Sequence, residues 1–470
     1  MESKKTIHNG GYLMRKLMLI CAPVTSRSGY GEHARDLITS LLEHDKYDIK
    51  IADVPWGQCP RNALDINNEK DKKILDIILP ANNKLNQQPD IYIDIRIPNE
   101  FQTFGKFNIG ITAGVETHAV SAKWIEGCNK MDLIIVPSEH SKKGFVESVY
   151  DKVQQMSNGS QQKQGSLKLE KPIEVLFEGA DEDVYKPLDK DEIPTEFLDW
   201  LNNKVPEKFA FLFVGQWTHG GFGEDRKDIG TLIKVFYESF ANKKKQPALI
   251  LKTSGATFSV MDKEECLRKI NSIKEMFPSD WKLPNVYLLH GDLKKEELNY
   301  LYNHPKVKCM VSLTHGEGFG RPLLEATMTG LPVIASGWSG QIDFLSGEDS
   351  ILLPGKLENI PKSSVWEDIL IAESQWYVCD QTIVYKTLNY SFLNNEEFKP
   401  KGKNLMKTNR GKFTLRKMTE KLGHLMDKYL KDLPSQVGLQ LPKLKKVEQT
   451  NEDPLKIKLP KLKKLTEESK

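Results

Sequence analysis

The sequence predicts an α/β protein with two doubly wound parallel sheets, one in each half of the chain. In both halves, short apolar runs that suit buried strands alternate with longer segments of helical periodicity. Each half also places a glycine-rich loop between an apolar run and a helix, where parallel sheets bind ligands. A chain of 470 residues can bury two hydrophobic cores. The predicted architecture is therefore two Rossmann-like domains.

Composition and charge exclude several classes of protein. With 39% hydrophobic and 28% charged residues, the chain has the composition of an ordinary soluble protein. No apolar run reaches about 18 residues, so we predict no transmembrane segment. The six cysteines are scattered without CxxC pairs, which indicates reduced thiols and a cytoplasmic protein. The net charge of +3 lies mostly in residues 433–470, and a nearly neutral body argues against a general nucleic-acid groove.

In the N-terminal half, apolar runs predict five buried strands. They are Lys16–Val24, Tyr47–Val54, Ile91–Ile97, Asn108–Thr112 and Asp132–Val136. The first run follows two basic residues, as in a signal peptide, but it leads directly into a glycine loop and is interpreted as a core strand. A helix is predicted from Ser28 to about Glu43. Residues 152–170 are rich in Gln and Ser, which predicts a flexible surface insertion.

The first glycine loop has the spacing of a dinucleotide-binding fingerprint. Gly29, Gly31 and Ala34 fit G-x-G-x-x-A, and Asp53 lies at a suitable distance downstream. An NAD(P)-dependent oxidoreductase is therefore one alternative function. The loop begins several residues after its strand, however, which weakens this interpretation.

The C-terminal half repeats the pattern of strands and helices. Predicted strands are Phe209–Val214, Leu249–Thr253, Val286–Leu289, Cys309–Leu313 and Leu331–Ser336, with a helix at Lys294–Tyr302. Further along, we predict a helix from Trp376 to about Asn389 and a loop at Lys401–Arg410. Apolar and basic residues at helical spacing predict a last helix at Phe413–Leu430.

The strongest ligand-binding signal lies in residues 308–345. Gly316, Gly318 and Gly320 let the backbone approach a ligand closely. Pro322 suits a first helical residue and Gly330 a helix end. A helix N-terminus binds phosphate through unpaired N–H groups. Two carboxylates, Glu317 and Glu325, flank this loop and suit sugar hydroxyls better than phosphate, so together they describe a nucleotide-sugar site.

Glu317 and Glu325, with Gly318-Phe319-Gly320-Arg321-Pro322 between them, resemble the E-x7-E motif of the retaining glycosyltransferase family 4 (group 1), which has the GT-B fold. The resemblance implies that Glu325 binds the ribose and that Glu317 contacts the transferred sugar. It also implies that the N–H groups of Gly318–Gly320 bind diphosphate. The remaining donor-site residues that it implies are Phe319, Leu324, Gly31 and Lys252.

The resemblance also implies catalytic residues. His118 follows a predicted strand, at a position where family members place a His or Asp against the transferred sugar and acceptor; Glu116 is a weaker candidate. Lys227 matches a lysine that neutralises the leaving diphosphate. Gln216 stands where the family has an arginine, so the second cation is expected from Arg226 or Lys252. Cations at a helix start oppose the helix dipole, which favours a functional reason for Arg226 and Lys227.

These inferences define the expected organisation. We expect a leader (1–14), an acceptor domain (15–205), a nucleotide-sugar domain (206–410), a crossover helix (411–432) and a disordered Lys/Pro-rich tail (433–470). The expected reaction is transfer of a hexose, with retention, from a UDP- or GDP-linked donor to an acceptor hydroxyl.

We expect no cofactor and no metal, although Asp181-Glu182-Asp183 is a literal DxD sequence. The acceptor stays open between saccharide, lipid, protein and modified nucleic acid. A second alternative is a non-catalytic binding protein acting through its tail, where Leu441–Lys446 recurs as Leu459–Lys464. Such a basic tail can dock on an anionic surface.

Overall fold

The structure is a computed structural model that describes residues 6–8, 11–13, 15–80, 85–155, 161–217, 220–255 and 257–434. The N-terminal half contains strands β1 (Thr6–His8), β2 (Gly11–Leu13), β3 (Lys16–Ala22), β4 (Tyr47–Asp53), β5 (Ile91–Ile95), β6 (Phe107–Ile111), β7 (Leu133–Val136), β8 (Tyr150–Gln155), β9 (Gln161–Leu167) and β10 (Ile173–Val175). Its helices are α1 (Gly29–His44), α2 (Glu69–Leu75), α3 (Ala122–Lys130), α4 (Glu139–Glu147) and α5 (Thr195–Lys204). The tail prediction for 433–470 falls almost entirely outside the described residues.

The C-terminal half contains strands β11 (Ala210–Val214), β12 (Ala248–Lys252), β13 (Val286–Leu289), β14 (Val307–Ser312), β15 (Val333–Ser336), β16 (Ile351–Leu353), β17 (Gly355–Asn359) and β18 (Gln375–Cys379). Its helices are α6 (Ile229–Phe240), α7 (Val260–Lys274), α8 (Lys295–Asn303), α9 (Arg321–Met328), α10 (Gln381–Leu393) and α11 (Asn395–Lys412), and α12 (Leu415–Leu430) follows.

Two six-stranded sheets form the centres of the two domains. The first has the order β10-β7-β6-β5-β3-β4 and the second β13-β12-β11-β14-β15-β16. Every pairing within each sheet is parallel. The predicted α/β fold with two doubly wound sheets is confirmed, and each predicted strand is present with ends shifted by at most two residues. Continuous apolar runs locate such strands because both of their faces are buried.

The polar insertion at 152–170 differs from the prediction. Strands β8 and β9 pair as an antiparallel hairpin, and Leu167 at its end is buried in the cluster that contains Trp124 and Phe145. Tyr150, at the other end, is half-buried against the same cluster, while the side chains of residues 152–154 and 162–166 are exposed, which explains the Gln- and Ser-rich composition. Residues 156–160 lie outside the described part of the chain.

Two predictions near residues 376–410 are wrong. Trp376 lies in strand β18, where Trp376 and Tyr377 are buried, and helix α10 begins only after Asp380, which caps it. The expected loop at 401–410 lies inside α11. Its composition is polar, but Asn409 donates to the Thr327 hydroxyl (2.9 Å), and a β-carbon at Gly402 would overlap the backbone of α9's C-terminal loop. Tertiary packing therefore outweighs the local signal.

The chain passes between the domains twice, at adjacent positions. Residues after β10 lead into the second domain, and α12 returns to pack against α1 of the first. Ala180 and Thr414 form an isolated parallel bridge where the two crossings meet. The return is fixed at its far end, because Lys16 Nζ donates to the Leu430 carbonyl (3.0 Å).

Among the described residues, no helix is both long and apolar enough to cross a bilayer. All six cysteines are free, and five of them are buried.

Candidate functional site

The glycine loop between β14 and α9 has a fixed backbone. Gly320 has a φ of 96° and is the N-cap of α9, so a residue with a side chain would be strained there. Pro322 is the second helical residue rather than the first. The Glu317 N–H donates to the Ser339 hydroxyl (2.9 Å), and the Glu317 carbonyl accepts from the Gly340 N–H (2.9 Å). The loop is thus held from below by its own domain.

The first domain covers this loop from above. A β-carbon at Gly318 would overlap the carbonyl oxygen of Ala113, and one at Gly316 would overlap that of Glu116. The Ser138 hydroxyl, at the N-cap of α4, donates to the Gly318 carbonyl (2.6 Å). The structure is therefore in a closed state, in which backbone of one domain touches the predicted phosphate-binding loop of the other.

Glu317 lies in a compact set of charges that joins the domains. We call Glu116, Arg226, Lys227 and Glu317 the Glu317 cluster. Lys227 Nζ is hydrogen-bonded to Glu317 Oε1. Arg226 Nη1 lies 3.4 Å from Glu317 Oε2 and 3.4 Å from Glu116 Oε1. Both cations come from the loop before α6, and the two acids come from opposite domains.

The Glu317 cluster keeps its acid ionised. Burial alone would raise the pKa of Glu317, but Lys227 and Arg226 hold it below the ordinary value. Burial also lowers the pKa of Lys227, and Glu317 opposes that shift. Since Lys227 and Glu317 are both buried, the pair is a strong local dipole directly beside the glycine loop.

Glu325, the second acid of the motif, lies in a different set of charges. We call Glu32, Asp36, Lys295, Arg321 and Glu325 the Glu325 cluster. Arg321 Nε donates to Glu325 Oε1 (3.0 Å), and Arg321 Nη2 lies 2.6 Å from Asp36 Oδ2. Lys295 Nζ pairs with Glu32 Oε1 (2.9 Å). Because Glu32 and Asp36 belong to α1, this cluster also joins the two domains.

Acids outnumber cations in the Glu325 cluster. Burial raises the pKa of Glu325 above its ordinary value, although Arg321 opposes the shift. Nearby Glu178 is also buried, and its pKa is raised to about 7. The two acids of one motif thus have opposite electrostatic surroundings, and Arg321 is the central cation of the second.

His118 is not brought to this centre. The side chain is exposed, and its Nδ1 accepts a hydrogen bond from the backbone N–H of Gln375 (2.8 Å). The backbone N–H of His118 donates to the Gln375 carbonyl (3.0 Å). This contact also crosses between the domains. In the closed state, His118 therefore belongs to the domain boundary at β18.

The other predicted donor-site residues are dispersed. Lys252 Nζ donates to the Gly291 carbonyl (2.7 Å), and burial lowers its pKa. Gly31 lies in the first turn of α1, where a β-carbon would overlap Ser26. Phe319 and Leu324 are buried core side chains. Lys252 is thus engaged away from the Glu317 cluster, which leaves Arg226 as the second cation beside Lys227.

Two alternative motifs have local structural roles. Asp53 accepts from the Thr25 hydroxyl (2.7 Å) and pairs with Arg61 (2.6 Å), so the acid of the dinucleotide fingerprint is occupied. In the DxD sequence, Asp181 Oδ1 accepts from the Asp183 N–H (3.1 Å), as in a turn.

Sequence reasoning missed Arg321, Glu32, Asp36 and the loop contact of Ser138. One signal for Arg321 was available, because a cation in the first turn of α9 opposes the helix dipole. The acids of α1 carried no such signal: they are about 290 residues away in the chain, and only the fold brings them to Arg321.

Comparisons with known proteins bear on the fold and on the second half of the chain. Residues 202–349 match the family described as glycosyl transferases group 1. No curated protein matches the sequence.

Solved structures match over most of the chain. Sucrose-phosphate synthase from Thermosynechococcus elongatus has a TM-score of 0.57 at 13% identity, covering 89% of this chain and 100% of that one. Anabaena HepE in complex with UDP-glucose has a TM-score of 0.54 at 14% identity, covering 88% and 100%. A glycosyltransferase from Rickettsia africae has a TM-score of 0.52 at 14% identity, covering 89% and 99%. The chain therefore has the GT-B fold, and residues 202–349 are similar to group 1 glycosyl transferases.

Proposed function

We propose that this protein transfers a hexose from a nucleoside-diphosphate sugar to an acceptor hydroxyl, with retention of the anomeric configuration and without a metal. The observation that carries the proposal is the Glu317 cluster, where two cations meet a motif acid beside the N-terminus of α9. A leaving diphosphate is the group that such a site suits.

Charge development explains why two cations are needed. As the bond from the sugar to the diphosphate breaks, negative charge collects on the phosphate oxygens. Lys227, Arg226 and the N–H groups of Gly318–Gly320 stabilise that charge. This role falls to a metal ion in other enzymes that cleave nucleotide sugars. Arg226 supplies the charge that Gln216 lacks.

The same step frees the motif acid. In the closed state Lys227 and Arg226 are held by Glu317. When the diphosphate takes over the two cations, the Glu317 carboxylate can accept hydrogen bonds from sugar hydroxyls. Glu325 binds the ribose once Arg321 gives up its hydrogen bond to Glu325 Oε1.

The donor enters an opened cleft, because Gly318 lies against Ala113 in the closed state. UDP-sugars are the first donors to test, since the Anabaena structure of the same fold contains UDP-glucose.

Calorimetric titration with UDP, GDP, ADP and NAD in EDTA tests the proposal. We expect one nucleoside diphosphate to bind in EDTA and to bind at least tenfold more weakly to Glu325→Ala. Exposed Glu264, on α7, provides the control Glu264→Ala, which should bind as the wild type does. Binding of NAD alone would overturn the proposal, and the anomeric configuration of the product, read by NMR, tests retention.

A further inference from the structure

An aromatic stack leads away from the glycine loop on the side of the first domain. The Tyr30 hydroxyl is bonded to the Thr112 hydroxyl (2.9 Å) and accepts from the N–H groups of Ala113 (3.0 Å) and Gly114 (3.1 Å). Ala113 is the residue that lies against Gly318. The Tyr30 ring is thus fixed one residue layer from the Glu317 cluster.

Trp56 lies on the outer side of that ring. The two rings are stacked with centroids 4.1 Å apart and an interplanar angle of 24°. Tyr30 and Trp56 are both half-buried, and Trp56 belongs to a loop in which Pro55, Gly57 and Gln58 are exposed. The indole therefore lies between the reaction centre and solvent.

The loop that carries Trp56 is held in place rather than free. The Arg27 N–H donates to the Pro60 carbonyl (2.8 Å), and Arg27 Nε donates to Asn62 Oδ1 (2.8 Å). Arg27 also pairs with Asp292 of the second domain, which places this loop at the rim of the cleft. A fixed aromatic ring at the rim is preorganised to bind a ligand.

The charged side chains of the loop that carries Trp56, and of the segment that holds it, are balanced. Arg61 pairs with Asp53, and Arg27 pairs with Asp292, so each guanidinium already has a carboxylate. A phosphorylated ligand would have to displace one of these acids. A neutral polyol needs only hydrogen bonds from the guanidinium and amide groups and an apolar surface against its C–H face.

We propose that Trp56, with Arg61 and Asn62, forms an acceptor subsite for a neutral saccharide, whose ring stacks on the exposed part of the indole. The proposal rests on the transfer reaction proposed above and assigns its acceptor class. The bound saccharide would extend from the rim toward the Glu317 cluster. There its hydroxyl oxygen bonds to the anomeric carbon, the bond from that carbon to the diphosphate oxygen breaks, and the hydroxyl proton passes to the leaving diphosphate.

Binding is tested directly by fluorine NMR of the full chain labelled with 5-fluorotryptophan, with the Trp56 resonance assigned by Trp56→Phe. The probes are methyl glucosides, maltose, cellobiose and lactose, compared with glucose 6-phosphate and a pyrimidine nucleoside. We expect the Trp56 resonance to shift with at least one neutral saccharide. A shift with glucose 6-phosphate alone, or with the nucleoside alone, would overturn the neutral-saccharide class, and no shift with any probe would overturn the subsite.

Kinetics give an independent reading. With a neutral acceptor, Trp56→Ala should raise the acceptor KM about tenfold, more than it changes the donor KM, and Trp56→Phe should restore part of the loss. Trp281 is 40% exposed beside Phe277 and precedes β13, at the end of the sheet away from the cleft, so Trp281→Ala is the matched control. An unchanged acceptor KM in Trp56→Ala contradicts the proposal.

Failure of the subsite and failure of the transfer reaction give different results. If no nucleoside diphosphate binds but saccharides still shift the Trp56 resonance, the reaction is wrong and the subsite stands. If nucleotide binds and Trp56 responds to no saccharide, the subsite alone is wrong.

Discussion

The Glu317 cluster and the Glu325 cluster are built on two acids only eight residues apart, yet they shift the pKa values of those acids in opposite directions. Glu317 has a buried lysine and an arginine beside it, which lower its pKa. Glu325 shares Arg321 with Asp36 and Glu32, and burial raises its pKa. The spacing of a motif therefore fixes where its acids are, while residues from other segments decide which acid carries charge.

The two clusters also differ in whether they can bind an anion. In the Glu317 cluster an incoming anion can take over Lys227 and Arg226, and the displaced acid gains sugar hydroxyls as partners. In the Glu325 cluster the surplus of acids repels an anion. Under the proposed function, this difference directs an incoming diphosphate to the first cluster and a neutral ribose to the second.

The largest expected effect is on the Glu325 cluster. Arg321→Ala leaves buried Asp36 and Glu325 without their central cation, and we expect the free energy of unfolding to fall by about 3–5 kcal/mol. Urea unfolding measures this loss. Arg268→Ala, which removes an exposed ion pair with Glu265, should change stability by no more than about 0.5 kcal/mol. Equal effects of the two changes would erase the distinction between a central cation and a surface one.

A substitution in the Glu317 cluster should lower the rate constant kcat. Lys227→Ala removes a group that stabilises the leaving diphosphate, so we expect kcat to fall by about 10²–10³. Steady-state kinetics with the donor identified by calorimetry provide the measurement. Lys234→Ala, in a partly exposed pair with Glu238, is the control and should keep the wild-type kcat. A fall of less than about fivefold in Lys227→Ala would contradict the assigned role.

The surplus of acids near Glu325 should appear as a pH dependence of stability. Glu178 has a folded-state pKa of about 7, above the ordinary value of 4.5, so the folded protein holds a proton that the unfolded chain releases. The contribution of Glu178 to the free energy of unfolding is fully present below about pH 4.5 and is lost as the pH rises to about 7.

Glu178→Gln cannot lose a proton. Between pH 4 and pH 8, its free energy of unfolding should therefore rise by on the order of 3 kcal/mol relative to that of the wild type. Unfolding of both proteins at several pH values tests the sign. A relative gain as the pH falls would show that Glu178 is ionised in the folded protein.

The smallest effect concerns the contact above the glycine loop. Ser138→Ala removes the hydrogen bond to the Gly318 carbonyl, worth about 1 kcal/mol, and so weakens the closed state. If closure competes with donor entry, the nucleoside diphosphate should bind up to about fivefold more tightly. Calorimetry against Ser272→Ala, a helix surface hydroxyl, checks this. Weaker binding to Ser138→Ala would mean that the serine contacts the ligand itself.

Much of the fold could be predicted because buried parallel strands have continuous apolar sequences. The errors have specific causes: an aromatic strand at Trp376 has no helix-excluding residue, and α11 contains Pro400 and Gly402, which indicate a loop until its packing against α9 is known. In the site, the sequence predicted Glu317 and Glu325 from one motif and Lys227 from a separate segment, and the structure pairs Lys227 with Glu317. The partners in α1, the closed loop contact and the stack of Tyr30 on Trp56 depend on contacts between distant segments, which no local pattern records.

The paired crossing at Ala180 and Thr414 has a mechanical consequence. Two bodies joined at two neighbouring points rotate about an axis near those points, so contacts far from that axis separate most when the domains open. Under the proposed function, each turnover then requires one complete swing of the domains about that axis, to admit a donor and to release the spent nucleotide. The frequency of this swing sets an upper limit on kcat, however fast the bond at the sugar is broken.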